Sequence, residues 1–111
     1  MSANEFKWIY CLSTCGILGA LGQGNKIHSC IIECGYESNT GVGNALINMY
    51  SKCGASMEAF AVFNEIRQDV VSWNAMLSCF SQLGNGKRSI ELFEQMQDEG
   101  MKPNEVTFVT M

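Results

Sequence analysis

The chain has 111 residues, the length of one modest domain, with 47% hydrophobic and 16% charged residues, which excludes an intrinsically disordered protein. The formal net charge of −4 is unfavourable for a nucleic-acid partner, since affinity for phosphates usually depends on Lys and Arg. No segment has the roughly 18 consecutive apolar residues of a membrane span. Residues 1–5 have neither signal-peptide nor transit-peptide character, so we expect no membrane partner and no targeting segment within this chain.

The spacing of apolar residues predicts six helices joined by short turns. Their predicted bounds are 6–16, 23–34, 41–52, 57–67, 72–82 and 87–98. Two helices have apolar stripes with i, i+3, i+4, i+7 spacing, formed by Leu46, Met49, Tyr50 and Cys53 and by Ala59, Val62, Phe63 and Ile66. In the sixth helix a less complete stripe comprises Ile90, Phe93 and Met96. Gly54 and Gly84 follow the third and fifth helices, where positive φ commonly ends a helix.

The helices form an internal repeat. A shift of 30 positions aligns residues 44–47 with residues 74–77 and Gly54 with Gly84, and a shift of 35 aligns Gly19 with Gly54. These matches fall where a helical hairpin buries its side chains. The sequence therefore consists of tandem helical hairpins.

The repeat bounds follow from these shifts. The predicted units span 5–39, 40–69 and 70–104, and 105–111 begin a further unit in a single array that covers 1–111. We predict an all-α fold, an α-solenoid of helix-turn-helix repeats. Because no polar helix caps the terminal repeats, we expect apolar faces at both ends and a piece of a longer array.

The repeat motifs resemble those of plant pentatricopeptide repeat proteins. Residues 69–76 (DVVSWNAM) are similar to the opening of the ordinary 35-residue repeat, and residues 91–96 and 100–104 to its remainder. Residues 43–54 (GNALINMYSKCG) resemble the short repeat and residues 18–28 the long one. The order long, short, ordinary resembles that of the mixed-length subclass.

The resemblance implies that the solenoid is a right-handed α-α superhelix. It also implies a function in single-stranded RNA binding, with one base bound per repeat. Members of the mixed-length subclass typically recognise cytidine-to-uridine editing or processing sites in mitochondria or chloroplasts. The zinc signature of the associated deaminase is absent from this chain. We therefore expect no catalysis, cofactor or metal here, with editing cofactor proteins or a deaminase supplied in trans as further partners of the organellar RNA complex.

The resemblance also implies which residues read the bases. In this family the fifth and last residues of a repeat form the base-reading pair. These are Asn44 with Asp69, a pair implied to prefer uridine, and Asn74 with Asn104, implied to prefer cytidine and then uridine. A carboxamide suits this role because it offers both a donor and an acceptor.

Three further positions complete the implied interface. Val71, the second residue of its repeat, is implied to stack between bases, whereas the equivalent Gly41 has no side chain for this. Lys52 is implied to contact a phosphate. The long repeat has Ile9 and Asn39 at its reading positions, and since Ile9 cannot hydrogen-bond, we expect no base to be read there.

Other roles compete with these. Asn44 and Asn74 could cap local structure, Asp69 could be a helix N-cap, and Asn104 stands in a turn, where Asn is common. The remaining chemistry-bearing side chains are interpreted structurally. Trp8 and Trp73 are expected in the core, and His28 is expected to be packed or partly buried. A solvated face is expected for Glu91, Glu94, Asp98 and Glu99.

The six cysteines also have alternative interpretations. A disulfide framework, or a zinc site formed by Cys11, Cys15, Cys30 and Cys34, is possible in principle. Because helical periodicity runs through the cysteines, we interpret them as small apolar residues in helix interfaces.

The principal alternative function is a tetratricopeptide-like protein–protein interaction scaffold. The negative net charge favours it, whereas Leu77, where such units have a small residue, and the Asn pair at fixed phase favour RNA.

Overall fold

The computed structural model describes residues 3–104 and Thr107, and the described part of the chain contains helices and turns. The helices are α1 (Ala3–Leu18), α2 (Leu21–Glu33), α3 (Thr40–Lys52), α4 (Ser56–Glu65), α5 (Val70–Gln82) and α6 (Gly86–Asp98). Each predicted bound lies within about three residues of the observed one. The all-α prediction is confirmed. No helix in this described part is long and apolar enough to cross a membrane.

The helices form two layers. In the inner layer, α1, α3 and α5 pack on one another in chain order. In the outer layer, α2, α4 and α6 each pack on the preceding first helix, and α2 and α4 also contact the first helix that follows. The backbones of the outer helices are not in mutual contact within residues 3–104. The hairpins therefore stack through their first helices, as in an α-solenoid.

The core lies between the layers and follows most of the predicted stripes. Ala59, Val62, Phe63 and Ile66 are all buried, as are Leu46, Met49 and Tyr50. The stripe predicted for α6 is wrong at Ile90, which is 55% exposed. The buried residue is Ser89, which the 30-residue shift aligns with Ala59, so a small side chain occupies the contact and Ile90 points about 100° away.

Glycines allow close helix contacts at two points. A Cβ added to Gly43 of α3 would lie 2.4 Å from Ile66 Cγ2, and one added to Gly24 of α2 would lie 2.5 Å from Met49 Sδ. Both distances are far below van der Waals contact. These helix pairs therefore approach more closely than any side chain would allow.

The two predicted helix-ending glycines have positive φ, 76° at Gly54 and 72° at Gly84. In each case the next N–H reaches back across the turn: Ala55 N donates to Tyr50 O at 2.8 Å, and Asn85 N to Phe80 O at 2.9 Å. This is the Schellman arrangement, which satisfies the terminal carbonyls of α3 and α5.

The predicted core aromatics differ in their surroundings. Trp73 is 1% exposed and packs edge-on against Phe63, with ring centroids 4.8 Å apart. Trp8 is half-buried, and its Nε1–H has no hydrogen-bond partner among the described residues. His28 is half-buried, in agreement with the prediction, and its Nδ1 lies 2.7 Å from the Tyr50 hydroxyl.

Burial affects the ionisation of this pair. Desolvation lowers the pKa of His28, opposed by the charge of Glu65. Desolvation also raises the pKa of Tyr50 to about 12, with further contributions from Glu58 and Cys53. The Tyr50 hydroxyl donates to Asn25 Oδ1 at 3.0 Å and therefore remains protonated at neutral pH.

The cysteines are free thiols in three kinds of environment, and Cys11 and Cys53 are partly buried. Cys15 and Cys79 are buried, as the packing interpretation requires, but Cys30 and Cys34 are exposed. The interpretation is wrong for these two because α2 turns Ile31 inwards instead, at 0% exposure. No group of three metal-binding side chains occurs among the described residues.

The outward side of α1 is apolar. Phe6, Tyr10, Ile17 and Leu18 are 63–76% exposed. Their spacing along the helix gives a broad apolar stripe on the terminal hairpin, which we call the α1 stripe.

Candidate nucleic-acid interface

A network of hydrogen bonds joins the second and third hairpins. Asn44 Nδ2 on α3 donates to Asp69 Oδ1 at 3.1 Å, and Ser72 Oγ on α5 donates to Asn44 Oδ1 at 2.5 Å. Asp69 is also the N-cap of α5, since its Oδ1 accepts from Ser72 N at 3.0 Å. One carboxylate thus caps a helix and contacts the predicted reading amide.

The next pair forms the same network with different residues. Asn74 Nδ2 donates to Asn104 Oδ1 at 3.2 Å, and Thr107 Oγ1 donates to Asn74 Oδ1. Asn104 Oδ1 accepts from Thr107 N at 3.0 Å, as an N-cap does. The two networks are equivalent position by position, at the offsets of 30 and 35 residues found in the sequence.

The first hairpin has only the cap at the equivalent positions. Asn39 Oδ1 accepts from Val42 N at 2.9 Å, so α3 begins with the same N-cap. However, Ile9 replaces the amide and Val42 replaces the hydroxyl. No polar network can form here.

The two amides retain capacity for a ligand. Asn44 is 9% exposed and Asn74 7%, whereas the capping residues Asp69 and Asn104 are exposed. In each network the amide uses one N–H and one lone pair. Since a carboxamide has two of each, one donor and one acceptor remain without a partner among the described residues. These atoms can meet a ligand only through a narrow opening.

The predicted pairs are therefore brought together, and the competing prediction that Asp69 caps a helix is also correct. Two hydrogen bonds in the turn before α5 hold the backbone that leads to Asp69. Gln68 Nε2 donates to Phe63 O at 2.6 Å, and Thr40 Oγ1 donates to Arg67 O at 2.8 Å. These bonds close the turn after α4.

Asp69 is ionised at neutral pH. Burial alone would raise its pKa, but hydrogen bonds from Ser72 N, the Asn44 amide and Val71 N lower the pKa below its usual value. A carboxylate only accepts hydrogen bonds, so it holds the Nδ2 end of the Asn44 amide towards itself.

The other predicted contact residues lie on the surface. Val71, directly before Ser72, is 51% exposed. Lys52 is exposed at the end of α3, roughly 12 Å along the helix from Asn44. Its stem lies near Gly16 of α1, where an added Cβ would come within 3.2 Å of Lys52 Cδ. The long stem is thus partly supported by the neighbouring hairpin.

Charge is divided between the layers. The inner helices α3 and α5 contain no acidic residue, and their only charged side chain is Lys52. The outer helices contain most of the carboxylates: Glu33, Glu58, Glu65, Glu91, Glu94 and Asp98. The acidic side chains predicted to be solvated on α6 are indeed exposed. Apart from Asp69, which contacts Asn44, most of the carboxylates therefore lie away from the helices that hold Asn44 and Asn74.

The hydroxyls of Ser72 and Thr107 were not identified from the sequence. The repeat shifts place Ser72 and Thr107 at the same position of successive hairpins, the third, where the preceding hairpin has Val42. The recurrence of a hydroxyl at this position is a signal for the pair. The signal was not sufficient, since Ser and Thr are common near helix N-termini for capping alone.

Comparisons with known proteins place this arrangement in a family. The model of the PPR repeat family matches residues 68–111, and the PPR repeat model matches residues 44–69. A pentatricopeptide repeat-containing protein of Arabidopsis thaliana is 38% identical over 112 aligned residues, which cover the whole chain and 14% of the relative. A mitochondrial relative and a chloroplastic one from the same plant are each 36% identical over the whole chain.

The chain spans 12–14% of the length of these three relatives. Pentatricopeptide repeat proteins are in general non-catalytic, RNA-binding factors of organelles. From the stacked hairpins, the repeated amide networks and these matches, the chain belongs to the plant pentatricopeptide repeat proteins.

Proposed function

We propose that this chain binds single-stranded RNA and reads two adjacent bases through the Asn44 and Asn74 amides, without catalysis of its own. The observation that carries the proposal is the recurrence of the same network in successive hairpins, each leaving one donor and one acceptor. Proteins that read one base per helical repeat use two or three side chains at the same positions of each repeat.

The residue roles follow the positions. Asn44 with Asp69 reads uridine, and Asn74 with Asn104 reads cytidine in preference to uridine. Val71 stacks between the two bases, and Lys52 contacts a phosphate. The hairpin with Ile9 reads no base, because its equivalent positions present only a methyl-rich surface and a cap.

The finer assignment rests on the repeat pattern and the named relatives. We propose the mixed-length subclass, with repeats at 5–39, 40–69 and 70–104 and a further unit from 105. Its role would be recognition of an editing or processing site in a mitochondrial or chloroplast transcript. A deaminase or editing cofactor protein supplied in trans would perform the chemistry.

The test is a fluorescence anisotropy titration of the chain with labelled ten-nucleotide oligo(U), oligo(C) and oligo(A). Each read base supplies roughly 1–3 kcal/mol by analogy with other bidentate contacts, so binding is weak but pyrimidine-selective. Asn74→Thr changes the preference at one base. Equal affinity of the wild-type chain for all three RNAs would contradict the proposal and favour the protein-scaffold alternative.

Asn85 provides a matched control. It is the N-cap of α6, accepting from Arg88 N at 3.3 Å, and lies outside both networks. Because Thr is also a capping residue, Asn85→Thr preserves both the fold and the base preference.

A further inference from the structure

We propose that the hydroxyls of Ser72 and Thr107 are positioning residues that determine base specificity, by holding the amides of Asn44 and Asn74 in one orientation. The inference rests on the proposed function, and extends the reading site to a third side chain that belongs to the following hairpin.

The need for such a residue arises from the amide itself. A carboxamide rotated by 180° about its last side-chain bond has nearly the same shape but exchanges donor and acceptor. An amide free to rotate would therefore present either pattern to a base, and selectivity between pyrimidine and purine edges would fall.

The Ser72 hydroxyl resolves this at Asn44. It has a single proton, and its oxygen lies 2.5 Å from Asn44 Oδ1 and 3.1 Å from Asp69 Oδ1. It also accepts from Asp69 N at 3.2 Å. The shorter distance directs the proton to Asn44, so the oxygen end of the amide is held by Ser72 and the nitrogen end by Asp69.

Asn74 is held in the same way although its partner is an amide rather than a carboxylate. The cap bond from Thr107 N fixes Asn104 with Oδ1 towards α5. Thr107 Oγ1 accepts from Asn104 N at 3.1 Å and donates to Asn74 Oδ1. Ser72 and Thr107 are both 0% exposed, so water does not compete for these bonds.

The first hairpin shows that the N-cap does not need a hydroxyl at the third position. Asn39 caps α3 without a hydroxyl at the third position, and its own N–H donates to Tyr36 O at 3.0 Å instead. Where the amide is replaced by Ile9, the hydroxyl is replaced by Val42. The hydroxyl is thus present where an amide needs orientation and absent where only a cap is needed.

The experiment measures the ratio of affinities for oligo(U) and oligo(A) with the whole chain. Loss of one orienting hydrogen bond in Ser72→Ala reduces this ratio about fivefold. Ser72→Thr retains the ratio, because Thr107 performs the same role in the next network. Thr107→Val, which preserves shape, reduces the ratio of oligo(C) to oligo(A), and it replaces Ser72→Ala should that variant fail to fold.

A second experiment, in the Asn44→Ile variant, distinguishes an orienting role of Ser72 from a general effect on folding stability. In Asn44→Ile, which copies Ile9, the further change Ser72→Val leaves the remaining base preference unchanged. A purely structural role would instead lower the affinity for all RNAs alike in Ser72→Ala and leave the ratio intact, which overturns the inference. A wild-type chain without base preference overturns the proposed function and the inference together, whereas a selective wild type with an equally selective Ser72→Ala overturns the inference alone.

Discussion

At the scale of the residue, Gly43 stands where an added side chain would have no room. It precedes Asn44, the amide proposed to read a base, and aligns with Trp73 in the next hairpin, where a large aromatic side chain fits. At Gly43 the space is occupied by Ile66, which follows the short helix α4. The contact between Gly43 and Ile66 therefore links the position of Asn44 on α3 to the turn after α4, the helix that follows α3.

We predict that Gly43→Ala destabilises the chain by roughly 1–3 kcal/mol, because the added methyl overlaps Ile66 and forces α3 and α4 apart. The free energy of unfolding from urea titration measures this. Gly22→Ala is the matched control, since a Cβ at helical Gly22 meets nothing within 4 Å. It should be neutral or stabilising by up to about 1 kcal/mol. Equal losses in both variants would contradict the prediction.

His28 gives a pH dependence of known sign. Its folded pKa is lowered, chiefly by desolvation, so the unfolded chain binds the proton more readily. The contribution of His28 to stability is complete above pH 6.5, its ordinary pKa. This contribution is lost as the pH falls from 6.5 through the lower pKa of the folded chain. We expect the thermal midpoint to fall between about pH 7.5 and 5.5, and His28→Gln to flatten that fall. An unchanged slope in the variant would assign the effect to another group.

At the scale of the element, the N-caps of α3 and α5 show how far the sequence could predict this site. The family resemblance paired Asn44 with Asp69 and Asn74 with Asn104, and hydrophobic spacing located the helices. Neither could show that a cap turns its side chain back over the preceding hairpin, because that depends on how α3 and α5 stack. Ser72 and Thr107 were missed for this reason, and Ile90 was misplaced because periodicity alone tolerates a shift of one residue.

The double role of Asp69 makes a prediction about α5. Asp69→Ala removes the cap and lowers the free energy of unfolding by about 1 kcal/mol. Asp69→Asn retains most of that stability at neutral pH, since Asn39 caps α3 in the same way. Thermal unfolding followed by circular dichroism distinguishes the two. Equal destabilisation by both variants would mean that the charge, rather than the cap, stabilises this junction.

At the scale of the whole molecule, the segregation of charge is relevant to the proposed binding of RNA by a chain with net charge −4. The inner helices α3 and α5 contribute one cation, and the carboxylates lie mainly on the outer helices. Recognition would then depend on neutral amides and stacking more than on phosphate neutralisation.

We therefore predict a shallow salt dependence. With one or two phosphate contacts, the logarithm of affinity falls with the logarithm of salt concentration at a slope of about −0.7 to −1.4. Lys52→Ala makes the slope shallower by about 0.7 and weakens all RNAs alike. Lys87→Ala, on the outer helix α6, leaves it unchanged. A slope steeper than about −3 would indicate a basic surface outside this interface.

The α1 stripe has a consequence for arrays of different length. Phe6, Tyr10, Ile17 and Leu18 form an end surface, and a stack of hairpins has two ends whatever its length. Interfaces between hairpins increase with every repeat added, while the uncovered terminal area stays constant. Colloidal stability per residue should therefore improve as an array lengthens, and the shortest arrays should be the most prone to self-association.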